Sequence, residues 1–99
     1  MSIRFEWDEE KNRRNLAKHK LSFEKARLVF DDLQALSDQD CVVEGEERWQ
    51  TLGMISGVVV SVVHTFRDED GEELVRLISA RKATAPERRA YAESQERKR

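Results

Sequence analysis

Residues 46–81 read EERWQTLGMISGVVVSVVHTFRDEDGEELVRLISAR, and along this stretch apolar side chains recur with a period of two. That alternation marks β-strands whose two faces meet different surroundings. Ser56-Gly57 and Asp70-Gly71 interrupt the run, and both dipeptides suit the left-handed backbone of two-residue hairpin turns. Three antiparallel strands follow, at about 46–55, 58–67 and 74–81. The stretch 58–63 is apolar on both faces except at Ser61, so the middle strand is expected to be covered on both sides.

Two-residue turns fix the pairing. Ile55 then opposes Val58, and Glu69 opposes Glu72. Counting back, Arg48 faces Thr65 and Thr65 faces Arg76, while Glu46 faces Arg67, which faces Leu74. One sheet face carries Arg48, Gln50, Thr65, Arg67 and Arg76. The other carries Trp49, Val60, Val62, His64, Phe66, Val75 and Leu77, and is expected to pack on helices. Arginines side by side repel one another unless something anionic sits among them. A phosphate backbone would serve. So would a cross-strand Glu46–Arg67 pair worth ~0.2–1 kcal/mol, with the other arginines solvated. The same count sets Arg81 opposite Val60, on the other face and roughly 23 Å along the strand from Arg67 at ~3.3 Å per residue. Only strong curl or a β-bulge would bring both arginines to one phosphate.

Helices flank this sheet. Asp8 is an N-cap for a helix running to about His19, with Glu9 and Glu10 in its first turn and Lys18, His19 and Lys20 at its C-terminal end, as the helix dipole favours. Ser22 caps a second helix, stapled by Leu21 and Ala26. Its core face is Phe23, Ala26, Val29 and Phe30, and Asp31-Asp32 ends it. A short strand is expected at 33–37 and a polar loop at 38–47. Thr84-Ala85-Pro86-Glu87 is a capping box with proline in the first turn, opening a last helix that frays among 95–99. The expected fold is α+β: two N-terminal helices, a four-stranded mainly antiparallel sheet and a C-terminal helix, in one domain over 1–99.

Ninety-nine residues, 38% of them apolar, suffice for one core. No apolar run approaches the ~18 residues of a membrane span, and MSIRFEWDEE lacks a secretory apolar region. The single cysteine, Cys41, excludes an internal disulfide framework and fits a reducing, cytoplasmic compartment. His19 and His64 are the only histidines, so neither a metal site nor a cofactor is expected. No glycine-rich phosphate loop is present either. The net charge of −2 does not advertise a nucleic-acid binder. Charges are nonetheless segregated: 11–20 is basic, 38–47 acidic and 76–99 basic. A basic cleft, an acidic patch for a basic partner and ordinary solvated faces are all compatible with that pattern.

The segments FEWDEEKNRRNLAKHKLSFEKARLVF (5–30), GEERWQTLG (45–53), HTFR (64–67), ISARKAT (78–84) and ERRAY (87–91) follow one another over nearly the whole chain, and together they resemble BrnT toxins. Lys20 stands where the family pattern has glycine after its Lys-His pair. The resemblance implies a RelE-like fold and a ribonuclease toxin of a bacterial type II toxin–antitoxin system that inhibits translation. It implies a partner, BrnA, an antitoxin with a ribbon-helix-helix DNA-binding domain. Operator DNA would be met only through that complex, which represses its own operon. By matched motif it implies functional roles for Lys18, His19, Arg67 and Arg81, with Glu46 and Arg48 as lesser candidates.

Metal-free RNA cleavage uses the 2′-hydroxyl, which DNA lacks, as nucleophile on the adjacent phosphate. The protein must supply a base, an acid and positive charge for the phosphorane. His19 suits acid or base, since an imidazole exchanges protons near neutral pH. Lys18 is a second cation, and Arg67 and Arg81 would bind the backbone and stabilise the pentavalent state. Arg48, Arg76 and Lys82 are candidate RNA contacts, Trp7 a candidate for stacking on a base, and Glu46 and Tyr91 supporting groups. Each has a structural alternative: His19 closing its helix, Trp7 packed at the helix start, Tyr91 anchoring the last helix. His64 is expected to pack beside Trp49, and Cys41 to be inert. The competing function is a non-enzymatic module that docks a DNA-binding partner and modulates repression. A third is a factor that cuts RNA only on ribosomes.

Overall fold

The computed structural model describes residues 3–97. In chain order the elements are β1 Ile3–Glu6, α1 Glu9–His19, α2 Phe23–Ala26, a 3₁₀ helix Arg27–Asp31, β2 Leu36–Val43, β3 Glu46–Ile55, β4 Val58–Glu69, β5 Glu72–Lys82 and α3 Ala85–Arg97. Ser56-Gly57 and Asp70-Gly71 both turn with two successive positive φ angles, 49° and 83°, then 53° and 81°. That geometry matches the right-handed twist of the strands it joins. Glu44-Gly45 makes a third such turn, with φ 51° and 80°.

The five strands lie in the order β1-β5-β4-β3-β2. β1 runs parallel to β5 and the other pairs are antiparallel. The expected four-stranded sheet therefore lacks one strand. β1 has four residues and no turn signal before the Asp8 cap, so nothing local announces it. The expected loop at 38–47 is also corrected: β2 continues through it to Val43 and turns into β3. As an edge strand it is mostly exposed, and polar residues blunt its free side. The second helix is shorter than its apolar spacing implies. It tightens into the 3₁₀ helix after Ala26.

The caps hold as the sequence requires. Asp8 accepts from the Glu10 amide at 2.9 Å, and Ser22 from the Lys25 amide at 3.1 Å. Leu21, Phe23, Ala26 and Val29 pack against Val60, Val62, Val75 and Leu77 on one sheet face. Burying a side chain such as Phe23 contributes about 1.5–3 kcal/mol. Tyr91 of α3 packs against Leu52, Val59 and Ala83 on the opposite face. α1 runs beside the β5 edge that β1 leaves open. Asn15, buried there, donates to the Ala80 carbonyl at 2.8 Å and accepts from the Ala80 amide at 3.1 Å. One side chain thus completes the edge as a strand would. Among the described residues no helix is long and apolar enough to cross a membrane.

Candidate nucleic-acid interface

Arg81 stands on the α3 face of the sheet, where it opposes Ser61. The uninterrupted register would have set it opposite Val60 on the other face. A β-bulge at Ile78, between the Leu77–His64 and Ser79–Val63 pairs, inserts one residue and reverses the side for everything after it. Arg81 therefore shares a face with Gln50, Thr65, Arg67 and Arg76.

Carboxylates hold most of these arginines. Arg81 makes a two-pronged contact with Glu87 of α3, at 2.8 and 3.0 Å. Glu87 also accepts from Gln50 at 2.7 Å and from the Thr84 amide at 2.8 Å, closing the capping box. The Arg81 contact, with the Thr84 and Gln50 hydrogen bonds, holds the Glu87 carboxyl down at about 2, and Glu87 in turn raises the Arg81 pKa. Arg76 pairs with Glu46 at 2.6 Å. The expected Glu46–Arg67 pair is corrected here. The β3–β4 ladder ends at Trp49–His64, and beyond it Glu46 reaches β5 instead. Arg67, 61% exposed, meets Glu69 at 3.5 Å. Arg48 differs: its Nε is buried with no hydrogen-bond partner among the described residues.

Further cations gather around α1, where Arg14 is paired with Glu10 at 2.8 Å and, among the described residues, no ion pair holds Lys11 or Lys18. Lys11, Arg14, Asn15, Lys18 and His19 line a groove of about 290 Å³ against Ile78 and Ser79 of β5. On its other flank His19 lines a second groove of about 200 Å³ with Lys20, Lys25 and Lys82. No carboxylate lines either groove. His19 thus forms a half-buried ridge between two basic concavities. Lys20 closes α1 with φ 59° and ψ 30°, the left-handed conformation that glycine adopts most readily.

The profile of a family described as "Ribonuclease toxin, BrnT, of type II toxin-antitoxin system" matches residues 7–87. The chain belongs to the BrnT family. Membership identifies it as a ribonuclease toxin of a type II toxin–antitoxin system, with an antitoxin as partner and RNA as substrate. No curated protein shows a significant match to the chain.

In this BrnT chain the sequence candidates fall into separate places. Lys18, His19 and Lys82 meet around the two grooves. Arg81 and Arg76 lie on the α3 face, in ion pairs. Arg67 is seven residues along β4 from Val60, roughly 23 Å at ~3.3 Å per residue, while Val60 itself lines the second groove. Arg67 and His19 cannot share one phosphate. Trp7 packs edge-on against Phe23, with centroids 6.1 Å apart, and donates to Glu9 at 3.1 Å. Tyr91 is buried and donates to Asp32 at 2.5 Å, and burial pushes its hydroxyl up to about 12.

His64 is a packed histidine at the register position of Trp49, edge-on to Phe30 at 4.9 Å. Its Nδ1 lies 3.2 Å from the Thr65 carbonyl, which only accepts. In the neutral ring Nε2 then accepts from the Thr51 hydroxyl at 2.7 Å, and Thr51 accepts from Ser37 at 2.7 Å. Burial lowers its pKa. Among the described residues no group of three His, Cys, Asp or Glu side chains could hold a metal ion.

Sequence reasoning passed over Lys11, Arg14, Lys20, Lys25 and Ser79 as groove residues. Part of the signal was present. Positions 11, 14, 15 and 18 share one helix face at i, i+3, i+4 and i+7 spacing.

Proposed function

We propose that the chain is a metal-free endoribonuclease that seats an RNA strand across the two basic grooves and lets the 2′-hydroxyl attack the adjacent phosphate. The supporting observation is the pair of carboxylate-free concavities that share His19, in a chain of net charge −2. A phosphate at the ridge meets Lys18 from one groove and Lys82 from the other, and two cations stabilise the charge that builds on the phosphorane. His19 supplies the imidazole beside that phosphate, the candidate for general acid–base work. Arg81 emerges from the opposite face of the next residue on β5. It reaches the same strand of RNA only on leaving Glu87. Arg48 and Arg76 extend the path over the α3 face, and Arg67 contacts RNA well beyond the cleavage point.

Cleavage in the cytoplasm would stop translation, and a BrnA-like ribbon-helix-helix antitoxin would neutralise the toxin and carry the complex to operator DNA. The test is cleavage of naked RNA in EDTA. His19→Ala is expected to lose about 10²–10⁴-fold, with smaller losses for Lys18→Ala and Lys82→Ala. Full activity in all three overturns the assignment. Growth arrest without cleavage of free RNA would indicate a ribosome-dependent factor. Absence of both would leave a docking module, the reading that the neutralised arginines favour.

A further inference from the structure

The end of the sheet that carries the β2–β3 and β4–β5 turns is chemically opposite to the α1 grooves. On the face covered elsewhere by α1 and α2, a groove of about 350 Å³ opens between Phe30, Trp49, Phe66 and Val75. Phe66 is 48% exposed although it is large and apolar. The polar groups on the groove floor are already spent on one another, since Ser37, Thr51 and His64 form one hydrogen-bonded chain. The floor therefore offers a visitor apolar contact and little else.

The rim is acidic. Stepping outward along each strand on this face, Trp49 is followed by Glu47, Phe66 by Asp68 and Val75 by Glu73. Asp68 and Glu73 stand directly opposite each other in the β4–β5 ladder. Like charges so placed cost stability unless a cation sits between them. No ion pair holds Glu47, Asp68 or Glu73 among the described residues. The contrast with the α3 face is direct, because there Glu46, Glu69 and Glu72 face Arg76, Arg67 and Arg4.

We propose that this acid-rimmed apolar groove docks a basic amphipathic segment of the protein antitoxin. Apolar anchors would fill the groove while lysines or arginines meet Asp68, Glu73 and Glu47. The inference rests on the toxin reading above. It places the antitoxin's grip at the opposite end of the sheet from the basic grooves, where it does not compete with RNA for the same cations.

The probe is a fluorescein-labelled peptide of Lys and Leu, with leucines at helical i, i+3, i+4 and i+7 spacing. It is titrated into the full-length chain carrying Trp7→Phe, so that Trp49 in the groove wall is the remaining tryptophan. Saturable binding with a change in Trp49 emission is expected, and none with the Glu-for-Lys peptide. Asp68→Asn with Glu73→Gln should weaken binding about tenfold while leaving the melting temperature unchanged or higher, since a repulsion is removed. The antitoxin of the same operon should displace the peptide. Equal affinity in the double variant, a silent Trp49, an antitoxin that binds without displacing the peptide, or a self-dimer that buries the groove would each overturn the proposal. RNA cleavage in EDTA, followed in the same samples, reports on the ribonuclease reading separately.

Discussion

Glu87→Gln isolates the contact that joins α3 to β5. Glu87 accepts from both Arg81 nitrogens, from Gln50 and from the Thr84 amide, and its carboxyl sits at about 2 against an ordinary 4.5. A shift of that size is worth at most ~3 kcal/mol. The Arg81 side chain is 39% exposed, and solvent screening cuts the figure to about 1–2 kcal/mol. In a chain of this length that lowers the melting temperature by roughly 5–15 °C at pH 7. Because the folded pKa lies below the unfolded one, the contribution is complete above pH ~4.5 and fades as pH falls toward 2. By pH 3.5 roughly 40% of it should be gone, so the gap between parent and variant must narrow on acidification.

Urea melts followed by far-UV circular dichroism, at pH 7 and 3.5, measure that gap. Arg81→Met completes a double-mutant cycle. Coupling of about 1–2 kcal/mol is expected, and RNA cleavage in the same proteins separates bracing from chemistry. Should Arg81→Met abolish cleavage while Glu87→Gln preserves it, Arg81 touches RNA. A gap of equal size at both pH values, or additive single effects, would refute the reasoning, because the carboxylate would then contribute nothing through its charge.

Gly53→Ala should destabilise by about 1–3 kcal/mol, since its methyl would lie 2.7 Å from Val29 Cβ and 2.9 Å from the Val29 carbonyl oxygen. Thermal melts read this directly, and an unchanged melting temperature would show that the 3₁₀ helix yields freely. Lys20→Gly should raise stability by about 0.5 kcal/mol, as relief of the left-handed conformation outweighs the added chain entropy, while weakening RNA binding through the lost charge. Burial lowers the His64 pKa in the folded chain below its unfolded value. The unfolded chain therefore takes up the extra proton, and stability should fall as pH drops below ~6.5. NMR titration of the His64 ring should place its midpoint below that of the unfolded chain, and a midpoint at or above it would contradict this.

The central hairpins could be read from the chain because local chemistry decides them. Ser56-Gly57 and Asp70-Gly71 set the turns, and Ile55–Val58, Thr65–Arg76 and Glu69–Glu72 pair as counted. The caps Asp8 and Ser22 and the Thr84–Glu87 box are equally local. What escaped depends on partners distant in sequence. β1 exists because β5 offers it an edge, and Asn15 is buried because β1 stops short of Ala80. The bulge has no glycine or proline to mark it, since Leu77-Ile78 is apolar throughout. That one unmarked residue decided which face Arg81 occupies, so the arginine cluster could be anticipated as residues but not as geometry. The α1 grooves were legible as a basic stretch, yet their concavity arises only where the helix meets the β5 edge.

A net charge of −2 conceals two opposed ends. Electrostatic influence between solvated charges fades over a Debye length, about 8–10 Å at cellular ionic strength, whereas the molecule is 34 Å along its longest axis. A phosphate entering beside His19 therefore responds to Lys18, Lys82 and their neighbours, and is scarcely affected by Asp68 or Glu73. The same screening lets an acidic rim attract a basic segment while the basic grooves stay charged. Segregation of charge, more than its sum, allows one small sheet to present a surface for a polyanion around α1 and over the α3 face, and a surface for a basic protein on the opposite face at the turn end. Neutralisation that acted from the acidic end would then have to work through bulk or through a second antitoxin segment laid over the grooves, since simple competition for the same cations is not available there.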